Sequence, residues 1–321
     1  MDEPQLEILQ VGSLRMRVAT LGSGPLVILC HGFPESWHSW RHQIRALAAA
    51  GYRVAAPDMR GYGGTDAPVE VESYTLLHLV GDVAQLVGAL GETQAVIVGH
   101  DWGAPVAWNA ALLRPDLFRA VVGMSVEYTP PSRSNILAAL AQQGISTFYM
   151  QYFQPQGVAE AELEADPEAT IRRLGYSLSG DGPQDRTIAG ILGEGAGFLT
   201  ATTDPAVLPD WLSPEEIAYV AGEFKRTGFR GALNWYRNFG RNADLLAAWR
   251  GCTLRQPALF IAGDRDDVLK FPGAKSRIDG LSRVLPGLRG THILEGAGHW
   301  VQRERADAVN ALLIKFLKGL N

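Results

Sequence analysis

The 321-residue chain reads as an α/β protein built on a mostly parallel sheet, with a helical segment inserted before the sheet is complete. Three observations carry that reading. Short apolar runs alternate with stretches of helical length over residues 14–125, the alternation stops between 127 and 247, and sheet texture resumes at 258–262 and 292–294. A composition of 46% hydrophobic and 20% charged residues suits one large core, or a core carrying an inserted subdomain.

In chain order, residues 14–20 alternate as a strand should, and 26–30 form the continuous apolar run of a strand covered on both faces. Residues 37–50 have helical spacing and stop at Gly51. A strand at 53–57, a long amphipathic helix at 74–90 and a strand at 95–98 follow, then a helix at 104–113 and a strand at 120–125. Beyond Glu127 the predicted elements are helices at 136–142, 147–153, 159–165, 168–178, 215–227 and 232–239, broken by Gly, Pro and Asp clusters. Residues 180–209 read as a long loop with a short helix, and a helix over 301–317 ends the chain. The expected organisation is a core formed by 1–126 and 248–321 with a helical cap at 127–247.

Bulk properties exclude several function classes. The net charge is −5 and the basic residues are dispersed, which is no footprint for nucleic acid. The acidic start, MDEPQLEILQ, lacks the basic-then-apolar pattern of an export signal, and no apolar run approaches a membrane span. Two cysteines, Cys30 and Cys252, give neither a disulfide framework nor a metal cluster, so a reducing cytoplasm is the expected compartment. A homodimer is left open.

The chemistry is written first at Gly99-His100-Asp101-Trp102-Gly103. An apolar strand, Gly-x-nucleophile-x-Gly and then a helix is the pattern of the nucleophile elbow of α/β-hydrolases, whose glycines permit a sharp turn. Serine is the usual occupant. A carboxylate such as Asp101 suits displacement at an sp³ carbon, leaving an ester of the enzyme itself.

That ester must be hydrolysed, and His299 in Gly296-Ala297-Gly298-His299-Trp300 stands where the base is expected, after a strand and before the last helix. Its orienting acid is sought in Gly263-Asp264-Arg265-Asp266-Asp267; Asp266 is preferred and Glu127, after the strand 120–125, is the rival. His31-Gly32-Phe33-Pro34 takes the place of the loop that supplies an oxyanion amide. The backbone N–H groups of Phe33 and Trp102 are the expected donors; the competing reading is an ordinary strand-to-loop turn with a proline that is open to a cis bond.

These stretches, together with AAPDMRGYGGTDAP (55–68), YMQYFQ (149–154) and NWYRN (234–238), resemble the α/β-hydrolase-fold epoxide hydrolases over nearly the whole chain. The resemblance implies a mostly parallel eight-stranded sheet flanked by helices, with an inserted helical cap. It also implies two ring-opening tyrosines, carried over by position to Tyr149 and Tyr236. An epoxide leaves as an alkoxide and needs a proton, which a phenol supplies without being ionised at neutral pH. Aromatics at helical spacing also suit core packing, the reading that fits Tyr152, Phe153 and Trp235. Trp37, Trp235 and Pro34 are the expected substrate-binding positions. Two departures stand out: Phe153-Gln154-Pro155-Gln156-Gly157 where relatives usually read FQEPG, and Glu127 where they often have an apolar residue or proline.

The expected activity is conversion of a small-molecule epoxide and water to a vicinal diol by side chains alone, with no metal or organic cofactor. The alternative is a dehalogenase using the same aspartate, histidine and acid. Trp102 would serve as one halide donor, but Phe33 stands where an asparagine is common and the tyrosine pair has no task there. An inactive small-molecule receptor is a further alternative.

Overall fold

Eight strands form one sheet: β1 (Gln5–Val11), β2 (Leu14–Leu21), β3 (Leu26–Cys30), β4 (Arg53–Pro57), β5 (Ala95–His100), β6 (Phe118–Met124), β7 (Ala258–Gly263) and β8 (Leu288–Leu294). The computed structural model describes residues 3–132, 136–142, 144, 145, 147–184, 192 and 195–320. Strand order is β1-β2-β4-β3-β5-β6-β7-β8. The β1–β2 and β2–β4 pairings are antiparallel and the rest parallel.

The pleat sorts the central strands between two cores. In β3, Val27 and Leu29 face one helical layer while Ile28 and Cys30 face the other; β5 divides Val96 and Val98 from Ile97 in the same way. One layer contains α1 (Arg41–Ala49) and the C-terminal helix; α2 (Leu76–Ala89) and α3 (Gly103–Leu113) form the other. Strands β3, β5 and β7 are buried along their whole length, as parallel strands covered on both faces must be.

Between β6 and β7 the described residues form helices and no strand: α4 (Ile136–Gln142), α5 (Tyr149–Tyr152), α6 (Val158–Ala165), α7 (Pro167–Ser177), α8 (Pro214–Thr227), α9 (Arg230–Tyr236) and α10 (Phe239–Leu245). Ser213 and Glu216 close a capping box at the start of α8, with Pro214 at its first turn. After β7 come α11 (Ala274–Asp279) and α12 (Leu281–Val284), and after β8 come α13 (Val301–Glu304) and α14 (Ala306–Lys318). Among the described residues no helix is long and apolar enough to cross a membrane.

The differences from expectation are local. Strand β1 was not anticipated, the helix expected at 37–50 opens with a 3₁₀ turn at Trp37–Trp40, and the last helix breaks at Arg305. Helix α5 is a single turn where 147–153 was expected. Within the long loop 180–209 a 3₁₀ turn forms at Phe198–Ala201; positions 185–191 and 193–194 lie outside the described residues.

Candidate active site

Asp101 sits between the end of β5 and the first turn of α3, with φ at +50°. A non-glycine residue in the left-handed region is strained, and such strain collects at functional sites. The aspartate itself adopts the unusual angle, and the flanking glycines serve close approach instead. A Cβ on Gly99 would lie 1.9 Å from the Gly103 carbonyl oxygen, and one on Gly103 would lie 2.0 Å from the Cys30 carbonyl oxygen.

The Phe33 N–H donates to Asp101 Oδ1 at 2.7 Å, and the Phe33–Pro34 bond is cis. Trp102 follows at the start of α3, where backbone N–H groups have no partner within the helix. Its ring stacks on Phe239 at 5.2 Å. His299 brings Nε2 to 3.6 Å from Asp101 Oδ2. Its Nδ1 meets two oxygens at 3.1 Å, Asp266 Oδ1 and Ser125 Oγ. Ser125 is a buried residue that sequence reasoning missed. It follows β6 directly, with φ at +68°, and no periodicity marks it.

Of the three neighbouring aspartates, Asp266 alone reaches His299: Asp264 accepts from the Gly296 N–H and Asp267 pairs with Lys270. Glu127 is buried and paired with Arg277. Burial works against a charged His299, but Asp266 and Asp101 outweigh it and push the imidazole well above its usual range. Burial likewise raises Asp266, yet the charge of His299, with help from Ser125 and the Val268 N–H, holds it below the ordinary carboxylate value.

Tyr149 and Tyr236 arrive from α5 and α9 with ring centroids 6.1 Å apart, and Tyr236 packs edge-on to Phe33 at 5.6 Å. Burial, followed for Tyr149 by the charges of Asp101 and Asp266, pushes that phenol well above 10. Burial, Tyr149 and Asp101 do the same for Tyr236. Both therefore stay protonated at neutral pH and serve as hydrogen-bond donors.

Two chambers meet at Asp101. A small one of about 30 Å³ is lined by Phe33, Pro34, Tyr149, Tyr236, Asp266 and His299, among others. A large one of about 460 Å³ shares Asp101 and Tyr149 with it and is also lined by Trp102. Pro34 thus borders the site as expected. Trp37 and Trp235 do not, and both expectations are corrected here. The Trp37 indole N–H donates to the Tyr219 hydroxyl at 2.7 Å, while fully buried Trp235 donates to the Arg60 carbonyl at 3.0 Å. Each indole finds its partner away from the cavities, as buried tryptophans usually do.

Hydrogen bonds behind the site tie its loops together. His100 Nδ1 and Nε2 face Glu35 Oε2 at 2.9 Å and the His299 carbonyl at 2.7 Å, and Glu35 also accepts from the Gly32 N–H. Burial opposes ionisation of Glu35, but His100 overrides it and brings the carboxyl down to about 2. On the other side the Leu178 carbonyl accepts the His299 N–H at 2.8 Å. Glu304 Oε2 takes the N–H groups of both Gly180 and Gly298 at 2.8 Å, and Arg265 donates to the Gly180 carbonyl at 2.7 Å.

Residues 25–306 match the family model described as the alpha/beta hydrolase fold. Epoxide hydrolase A of Mycobacterium tuberculosis is 44% identical, with 100% of this chain and 99% of the relative covered. Epoxide hydrolase 2 of Siraitia grosvenorii is 40% identical, with 99% of each covered. Among solved structures, an epoxide hydrolase from an endophytic Streptomyces superposes with a TM-score of 0.95 at 42% identity, covering 100% of this chain and 97% of that one. Epoxide hydrolase A from Mycobacterium thermoresistibile gives 0.92 at 45% identity, with 99% of each covered. Similarity of this depth leaves no element of the sheet or the insertion outside the match, and the chain belongs to the epoxide hydrolases of the α/β-hydrolase fold.

Proposed function

We propose that this enzyme opens epoxides to vicinal diols through an ester on Asp101. Oδ2 attacks a ring carbon while Oδ1 stays on the Phe33 N–H; the C–O bond breaks toward the epoxide oxygen, which takes a proton from Tyr149 or Tyr236. In the second step water attacks the Asp101 carboxyl carbon and gives a proton to His299 Nε2. The tetrahedral species collapses, its remaining hydroxyl proton passes to the departing Oδ2 to complete the diol and restore the carboxylate, and the histidine proton returns to the tyrosinate through solvent. Asp266 and Ser125 hold the imidazole by Nδ1, and the Phe33 and Trp102 amides bind the oxyanion.

The observation that carries this reading is the arrangement around one carboxylate: one oxygen held by an amide, the other facing a histidine, and two buried phenols lining the same chamber. The helical segment 127–247 is the cap in this account, since it delivers both tyrosines and walls both chambers. The reducing cytoplasm remains the assigned compartment, on the two unpaired cysteines.

A single turnover in ¹⁸O water tests the ester. The first diol is expected to carry an unlabelled oxygen from Asp101, with label appearing in Asp101 and then in later product. Label in the first diol sinks the mechanism.

A further inference from the structure

The large chamber is apolar over most of its wall, with Leu140, Phe148, Met150, Phe239 and Phe271 facing it. Besides Asp101, its charged lining residues are Glu127 and Arg277. Glu127 is 4% exposed and accepts Arg277 Nε on Oε1. The guanidinium is further held by Nη1 donating to the Pro272 carbonyl at 2.9 Å. Among the described residues, Glu127 Oε2 and Arg277 Nη2 take no other partner. An acceptor on a buried Glu127 and a donor on an exposed Arg277 therefore remain available on an otherwise largely apolar wall.

Fixing the exit of β6 to α11 does not call for charge, because apolar side chains of similar size would hold it at least as well without desolvating two ions. The free atoms of the pair are open to water, which a ligand entering the chamber would displace and must replace with hydrogen bonds of its own. We propose that the Glu127–Arg277 pair is a recognition site for the longer arm of the substrate, and that the arm carries a neutral group that both donates and accepts a hydrogen bond, in its simplest form a hydroxyl. Such a group donates to Glu127 Oε2 and accepts from Arg277 Nη2 without adding charge. A carboxylate would satisfy the arginine but oppose Glu127, and a hydrocarbon would displace their water without replacing its hydrogen bonds. The small chamber is about 30 Å³ against about 460 Å³ for the large one, so the longer arm is assigned to the large chamber, which the pair lines.

The inference rests on the epoxide-opening reading above. Its test is a homologous series of terminal epoxides whose arms end in hydroxyl, methyl ether, methyl or carboxylate, each scored as kcat/KM for diol. At one arm length the hydroxyl is expected to exceed methyl by about tenfold, the size of one charge-assisted hydrogen bond, with methyl ether and carboxylate below the hydroxyl. In Glu127→Leu, and in Glu127→Leu with Arg277→Met, the hydroxyl-to-methyl ratio should fall toward one, chiefly through KM. A ratio near one at every arm length in the native enzyme overturns the proposal. So does a ratio that survives both variants, or a carboxylate that outruns the hydroxyl. If the variants do not fold, the native series decides alone. Diol formed from the methyl members without hydroxyl preference condemns only the recognition site; no diol from any member condemns the reaction as well.

Discussion

The Phe33 N–H and Asp101 Oδ1 meet at 2.7 Å although 68 residues separate them in the chain. The contact makes the two carboxylate oxygens inequivalent, because Oδ2 is the one left facing His299. Room for it depends on Gly32, where an added Cβ would fall 2.2 Å from Asp101 Oδ1 and 2.5 Å from Asp101 Cβ. Gly32→Ala should therefore displace the nucleophile and lower kcat/KM by roughly 10²-fold, the usual penalty for misplacing a reacting group by about an ångström. Steady-state kinetics beside a thermal melt check this. Equal loss of activity and of folded protein would contradict it.

His299→Gln removes the proposed base but leaves Asp101 and both tyrosines in place. Incubation with a good epoxide should then yield protein heavier by the mass of one substrate in intact mass spectra. Asp101→Asn should show no such adduct. An adduct on the asparagine variant, or none on the glutamine variant, contradicts the order of the two steps.

In the proposed mechanism Tyr149 and Tyr236 share one oxygen as their target, so each is expected partly to cover for the other. We expect Tyr149→Phe and Tyr236→Phe each to lower the rate of ester formation by about tenfold or more. The double variant should approach the full worth of a general acid, about 10²- to 10⁴-fold. Pre-steady-state quenching of tryptophan fluorescence, or rapid-quench mass spectrometry, isolates that step. A double variant that alkylates at the native rate would remove the phenols from the mechanism.

The pH dependence follows from the charges around His299. Its imidazolium is favoured by Asp266 and Asp101 together, against burial. Esterification of Asp101 deletes one of those charges, so the histidine should become more acidic in the intermediate, when it must act as a neutral base. Asp101→Asn mimics that loss and should lower the His299 value seen by ¹⁵N NMR titration. Because the folded value is raised, His299 stabilises the fold fully below its unfolded value near 6.5. The contribution fades as pH rises through the folded value. Melts of native enzyme and His299→Gln should accordingly converge with rising pH. An unchanged titration in the asparagine variant would remove Asp101 as a cause.

The site was more legible in the sequence than the edges of the sheet were. Asp101, His299 and Asp266 lie in Gly-bounded turns after apolar strands, where few residue types satisfy both backbone and chemistry. Strand β1 escaped notice because an edge strand needs little burial: Leu6 and Ile8 are 47% and 49% exposed, and Val11 alone is buried. The upstream half of β8 was hidden for the same reason, with Arg289, Gly290 and Thr291 interrupting any apolar run. Trp37 and Trp235 were misread because a tryptophan's type does not reveal which acceptor its indole will find. Ser125 carried no signal at all. Its role depends on a left-handed turn that only the packed sheet imposes.

One consequence concerns traffic. Leu178 and Gly180, just beyond α7, are bonded through backbone and Glu304 to Gly298 and His299, so the inserted helices and the catalytic base share a fixed seam. Opening the molecule at that seam would break the bonds that hold the His299 turn. Under the proposed mechanism, substrate and diol are expected to pass by way of the large chamber, with the seam between Leu178 and His299 kept closed from one turnover to the next.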